Sequence, residues 1–411
     1  MGTDAVVTEA AGDDPAGEAP ARATLWVIVA SATLTVMAGA ILGPVVPDIR
    51  DGLGVSGSLA GLIITTHGAF IVLASPLAGR LIDRYGPRRP YVLGLGLYAL
   101  GGGAGLVVDS FLPLLASRAV LGVGVAFVYT GVTVLIYDLY RGRQMDRALG
   151  LRSGANSVGA AVWPLVGGAL GVVSWQSPFA VYLVAAPLGL VALVAIPETA
   201  RGTDTDGDGS DAGDGDDGGT DATDALAVIR ERPALAAVYL LYFGANALLY
   251  AIVVFYPQLL GGLGVETAFG VGLYLSANGI AGGATGAYYD RFKRRFGARR
   301  LVLAALVLWA VGLGTAVVVA SPAAAFAPVI LFGLGIGFVF PSTFVWVESL
   351  APEALQGQLG SYVAMAGYVG QFVSPLLFGA FVGPFGIRGP FVVAALAAGG
   401  GAVALALAGR R

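Results

Sequence analysis

No cysteine occurs in the 411 residues, which excludes disulfides, thiolate catalysis and any metal site built on sulfur. One histidine, His67, and one lysine, Lys293, are the next scarcest residues, so metal ligands are few and neither a metal nor another cofactor is expected. Charge is short as well: 12% of the chain is Asp, Glu, Lys or Arg against 56% hydrophobic residues. The mean hydropathy is +0.80. A chain of that composition cannot fold with water all around it and belongs in a lipid bilayer. The period-2 alternation of a membrane barrel is missing. So is a nucleotide-binding glycine loop with its lysine, which argues against pumping by ATP hydrolysis, and no other enzyme constellation appears. No nucleic-acid partner is expected.

What is present is a series of apolar runs of the ~20 residues needed to cross a hydrocarbon core as a helix. They fall at 24–47, 57–79, 90–109, 111–136, 148–173 and 177–197, then at 233–258, 266–288, 300–320, 325–347, 357–382 and 388–409. Gly and Pro lie inside them, as membrane helices tolerate. The expected fold is an all-α membrane protein with twelve transmembrane helices in two six-helix halves. The first 22 residues are acidic (Asp4, Glu9, Asp13, Asp14, Glu18) and do not read as a cleavable signal, which would begin basic and turn apolar. They are expected to be a disordered tail. Between the halves, Arg201 to Asp224 holds nine aspartates among Gly and Thr and almost nothing apolar, the composition of a solvated tether. The domain reading is a tail at 1–22, a first half at 23–199, an acidic linker at 200–228 and a second half at 229–411.

Arginine marks one side of this array. Arg80, Arg84, Arg88 and Arg89 follow the second run, Arg141, Arg143, Arg147 and Arg152 the fourth, and Arg201, Arg230 and Arg232 the sixth. Six basic residues between Arg291 and Arg300 follow the eighth, whereas the other side has only Arg50 and Arg388. Cytoplasmic loops carry the excess of Lys and Arg, so both termini and the linker are expected in the cytoplasm.

The halves are related by duplication. Gly122-x-Gly124-x-x-Phe127-Val128-Tyr129 is echoed by Gly333-x-Gly335-x-x-Phe338-Val339-Phe340. With the same shift, Gly159-x-x-x-Trp163-Pro164-x-x-x-Gly168 matches Gly370-x-x-x-Ser374-Pro375-x-x-x-Gly379. Gly79-x-x-x-Asp83-Arg84 likewise has a second copy in Gly286-x-x-x-Asp290-Arg291, followed by the extra residues Phe292 to Phe296 before Gly297.

These residues resemble the major facilitator superfamily of secondary transporters over nearly all of 24–409. Gly79-x-Leu81-x-Asp83-Arg84-x-Gly86-x-Arg88-Arg89 looks like its signature loop, with Pro87 where a basic residue is common. The resemblance implies a latch that holds the halves together on the cytoplasmic side in one state and lets go in the other, with Asp138 a partner for Arg84 or Arg88. Leu114-x-x-x-Arg118-x-x-Leu121-Gly122-x-Gly124 resembles the motif that ties an arginine to proton transfer, with Leu121 where Gln is usual; snorkelling of Arg118 to the outer interface is the other reading. Gly150, Gly159, Pro164, Gly167 and Gly168 follow the spacing of drug/proton antiporters, with Trp163 in place of a glycine; close helix packing alone would also explain the small residues.

No carboxylate falls in the middle of a run. The coupling candidates are therefore His67, which can cycle its charge near neutral pH, and Asp48 near the outer end of the first run. Substrate contacts are expected from Tyr129, Tyr242, Asn246, Tyr250, Asn278, Tyr368 and Gln371; the four-residue spacing puts Tyr242, Asn246 and Tyr250 on one helix face. That lining suits a lipophilic or weakly polar solute, cationic ones included. The leading expectation is proton-coupled efflux of such compounds by a monomer in the plasma membrane. The alternatives are an uptake symporter for a sugar or organic acid, and a transporter-like sensor or scaffold without flux.

Overall fold

In a computed structural model the described residues are 22–197 and 222–408. The acidic tail and most of the linker lie outside them. The first half comprises α1 (Arg22–Ala40), α2 (Val46–Leu53), α3 (Gly57–Tyr85), α4 (Arg88–Gly103), α5 (Phe111–Leu139), α6 (Gly142–Gly171) and α7 (Ala185–Ala195). Then come α8 (Ala222–Glu231), α9 (Pro233–Gly261), α10 (Ala268–Ala287), α11 (Tyr289–Phe296), α12 (Ala298–Val318), α13 (Phe326–Leu350), α14 (Gln356–Gly379), α15 (Val382–Phe385) and α16 (Gly389–Ala408). Among the described residues, nine helical segments are long and apolar enough to cross a bilayer. The long helices α4, α6 and α10 pack among them.

The sequence explains where helices start and break. Pro44 and Pro47 interrupt the first run, leaving a 3-10 turn at Gly43–Val45 between α1 and α2. Ser56 caps α3 by accepting the Leu59 amide at 3.3 Å, and Thr267 caps α10 through the Gly270 amide at 3.1 Å. The helix α8 starts at Ala222, inside the segment 200–228 assigned to the linker.

Each half carries its own apolar core. One large cluster is built mainly from residues between Val27 and Ile196; the second half has a large cluster between Ala245 and Ala402 and a smaller one that includes Leu235, Leu359 and Val363. Tyr250, on α9 of the second half, is buried in the core of the first. Leucines and valines such as Leu73, Val194 and Leu396 are 70–89% exposed, as expected of a surface solvated by lipid.

The duplication survives as geometry at the turns. Gly86, after α3, has φ 76° and ψ 163°; Gly297, after α11, has φ 78° and ψ 151°. Only glycine adopts this backbone without strain. The extra residues of the second copy do not disturb the turn, because α10 stops at Ala287 and they form the separate helix α11 before it.

Between the halves, α6 packs on α10 and α3 on α14. Small residues let these helices approach closely. At the arginine-poor end a Cβ on Gly61 would lie 2.7 Å from Val254 Cγ1 and 2.9 Å from Pro375 Cβ; one on Gly168 would lie 2.6 Å from the Ala268 carbonyl oxygen. Toward the arginine-rich end, Gly150, Gly154, Gly286 and Gly357 face open space. The halves are thus in close contact at the arginine-poor end.

Candidate functional site

The space between the halves is lined where α3, α5 and α6 face α9, α13 and α14. Tyr129 of α5 meets Tyr368 of α14 edge-on, with ring centroids 6.4 Å apart. Tyr242 of α9 packs against Phe340 and Phe344 of α13 at 5.0 and 5.7 Å. Gln371 Nε2 donates to Asn246 Oδ1 at 3.1 Å, and Asn246 Nδ2 donates to the Tyr242 carbonyl at 2.9 Å. The Gln371 Oε1 acceptor is buried without a partner. The Tyr368 phenol sits within electrostatic reach of the phenols of Tyr129, Tyr242 and Tyr250 and of the Arg152 guanidinium. Six of the seven side chains chosen from sequence for substrate contact therefore converge.

The seventh lies elsewhere. Asn278 is buried against Gly333, where a Cβ would stand 3.0 Å from its Oδ1, so it packs between α10 and α13. A polar residue in an apolar run announces that it needs a partner, not which face holds it.

His67 is 1% exposed, midway along α3, and its Nδ1 donates to the Ile64 carbonyl at 2.6 Å. A carbonyl only accepts, so Nδ1 carries a proton and Nε2 is the free position. A Cβ on Gly39 of α1 would touch both the Tyr250 hydroxyl and His67 Cε1, so a phenol from one half and the imidazole of the other meet across a glycine. Asp48, in contrast, is exposed on α2 at the arginine-poor end, near the Arg50–Asp51 ion pair of 2.7 Å.

Arg118 is fully buried, and its surroundings are structural in character. Its Nη2 donates to the carbonyls of Gly101 and Gly102 at 2.6 and 2.8 Å. The guanidinium lies 4.9 Å from the centroid of Phe179 and 5.1 Å from that of Tyr182. It thus satisfies the carbonyls at the end of α4, where the helix dipole also favours a cation.

The small residues of α6 serve two neighbours. Gly159, Trp163 and Gly167 turn toward α1, with Trp163 Nε1 donating to the Thr33 carbonyl at 3.1 Å. Gly168 turns toward Ala268, and the Pro164 carbonyl approaches Gly272 on α10. Trp163 lines an outer cleft of about 400 Å³ with Thr33, Leu34, Pro187 and Leu188, away from the central aromatic cluster. Gly150 has open space around it.

The signature-loop residues gather at the arginine-rich end. Asp83 is exposed on the last turn of α3, Asp138 is half-buried at the end of α5, and Asp83, Arg88, Arg89 and Asp138 each have an interaction partner. Arg88 donates to the Leu193 carbonyl of α7, and Arg84 lies 5.2 Å from the Tyr85 ring centroid. Gly79 is open on its Cβ side. Asp290 and Arg291 open α11, far along the chain from the first loop but at its repeat-related position.

Arg152 is the residue that sequence reading misplaced. Counted among the charges that set topology, it sits inside α6, donates from Nη1 to Thr133 Oγ1 at 2.9 Å and covers the Tyr129 ring at 4.9 Å. The signal was available, since position 152 falls within the apolar run assigned to 148–173. A charge in a membrane helix costs roughly 2.5–3.5 kcal/mol on insertion scales and is retained where it faces water or a partner.

A family model described as Major Facilitator Superfamily matches residues 28–296 and 294–411. The chain belongs to the major facilitator superfamily. Multidrug resistance protein 1 of Bacillus subtilis is 25% identical over 360 residues, which is 87% of this chain and 89% of that protein. Quinolone resistance protein NorA of Staphylococcus aureus is 30% identical over 151 residues, 37% of this chain and 38% of that protein. The crystal structure of the nucleoside transporter NupG superposes with a TM-score of 0.76 at 14% identity, covering 94% of this chain and 99% of that one, a likeness of fold. This superfamily member is a multi-pass membrane transporter and not an enzyme.

Proposed function

We propose that the transporter exports small hydrophobic or weakly polar compounds from the cytoplasm in exchange for protons. The observation that carries this reading is the central lining: phenols, rings and amides from both halves, with no carboxylate among them. Such a surface binds by stacking and desolvation and tolerates varied shapes. The names of the two relatives, a multidrug and a quinolone resistance protein, support the same solute class.

With the arginine-rich end and both termini placed in the cytoplasm of a plasma membrane, the close α3–α14 and α6–α10 contacts lie on the outer side. Solute enters from the cytoplasm and binds among Tyr129, Tyr242, Asn246, Tyr368 and Gln371. The halves then rock until the α3–α14 and α6–α10 contacts open at the outer end. The loop around Asp83, with Arg84, Gly86, Arg88 and Asp138, latches the cytoplasmic side in that second state. The loop's second copy around Asp290 and Arg291 gives the matching turn.

His67 is the proton carrier in this scheme, preferred over Asp48 because it lies where the halves meet at Tyr250 and Gly39, whereas Asp48 is on an exposed helix. Arg118 keeps its charge throughout and acts on coupling only by holding α4 against α5. A monomer contains the whole pathway.

The test is accumulation of a compound panel in cells with and without the protein, each with and without a proton uncoupler. Lower accumulation that the uncoupler abolishes supports the reading; uncoupler-sensitive higher accumulation would show uptake instead. His67→Gln is expected to insert normally and to lose proton-driven transport while keeping solute binding.

A further inference from the structure

Arg152 lies ten residues into α6, so about 15 Å along the helix from its arginine-rich end. It is half-buried beside the central lining, and none of the carboxylates among the described residues lies within ion-pair distance of it. It contacts the Thr133 hydroxyl and the face of Tyr129. A guanidinium has five N–H donors, and the hydroxyl occupies one position.

We propose that Arg152 is the anchoring cation of the transport cavity and that the preferred solutes carry an anionic group, a carboxylate or sulfonate, on an aromatic body. This deepens the export reading and rests on it. The planar fork of the guanidinium suits an oxyanion in bidentate fashion. The Tyr129–Tyr368 pair is placed to take the attached ring. The Tyr129 face and Thr133 hold the guanidinium when no solute is bound. A fixed positive charge with no carboxylate beside it disfavours cations by the same reasoning.

The experiment uses the full-length protein in nanodiscs for binding and in everted vesicles for transport. The probes are three: 8-anilinonaphthalene-1-sulfonate, the uncharged N-phenyl-1-naphthylamine and ethidium. Wild type is expected to bind the sulfonate most tightly. Arg152→Gln should weaken it by roughly tenfold or more, the scale of a lost hydrogen bond to a charged group, with the neutral amine changed less than twofold. Arg152→Lys, which keeps charge without the fork, should fall between.

A sulfonate affinity unchanged in Arg152→Gln, or an equal loss for the neutral amine, would overturn the proposal. A second measurement needs no variant: on wild type, 2-naphthoate should displace the sulfonate at least tenfold better than 2-naphthamide, and equal displacement counts against the anion site. If wild-type vesicles move only the neutral or cationic probe, the anion site falls and export stands. If they move none of the three, the export reading falls with it.

Discussion

Replacing Arg118 by Met should destabilise the first half without emptying the site. The side chain holds the Gly101 and Gly102 carbonyls at 2.6 and 2.8 Å, and Met offers them nothing. A buried acceptor left unpaired costs about 1–3 kcal/mol. The two ring contacts, at 4.9 and 5.1 Å, add roughly 0.5–2 kcal/mol each in a desolvated setting. Removing the buried charge returns part of this, since Nη1 is unpaired in its pocket and Met fills much of the volume. The net expectation is a loss of about 2–4 kcal/mol. The measurement is unfolding of the detergent-purified protein on a temperature or SDS scale, followed by tryptophan fluorescence. Arg118→Lys, which keeps a cation at the end of α4, should recover part of the loss. Wild-type unfolding of Arg118→Met, together with a shifted pH dependence of transport, would refute the structural role and move Arg118 into the coupling machinery.

Other substitutions test other parts of the account. Gly86→Ala forces a Cβ into a backbone with φ 76° and should cost about 1–2 kcal/mol, read from the same unfolding curves, with Gly297→Ala behaving alike at φ 78°. Asp83→Asn should leave membrane insertion intact yet abolish transport in vesicles, because the proposed cytoplasmic latch needs its carboxylate in the second state. Tyr368→Ala should weaken solute binding by roughly tenfold through loss of its ring against Tyr129, measured by fluorescence titration, while Tyr368→Phe keeps the ring and most of the affinity.

Much of this fold is legible in the chain because a bilayer leaves few choices. Runs long enough to cross it must be helical, and the Gly-Pro pattern shared by Gly159–Gly168 and Gly370–Gly379 shows the duplication before any coordinates. The Tyr242, Asn246 and Tyr250 stripe was readable from its spacing, since residues four apart share a helix face. What stayed hidden depends on tertiary neighbours. Arg118 finds its acceptors at the glycine-rich end of α4, and no motif spacing reveals that two carbonyls are free there. Asn278 turns to α13 because Gly333 leaves room for it. Arg152 was readable as a charge inside an apolar run, but its place near the run's edge also fits a topology signal, and its contact with Tyr129 is a tertiary fact. The split of α6 between α1 and α10 follows from which small residue meets which helix, and the spacing alone fits both.

Alternating access is the central claim, and the absence of cysteine makes it directly testable. A Cβ at Gly379 of α14 would lie 2.9 Å from the Ser58 Cβ of α3 at the end where the halves are closed, tighter than the 3.5–4.5 Å of a disulfide, so a shift of about 1 Å between the helices brings the pair into bonding range. In the Ser58→Cys, Gly379→Cys double variant the two thiols should join under mild oxidation. The cross-link should stop transport in vesicles, leave cytoplasmic-side solute binding in place, and be reversed by a reductant. Undiminished transport by the fully cross-linked protein would contradict the account.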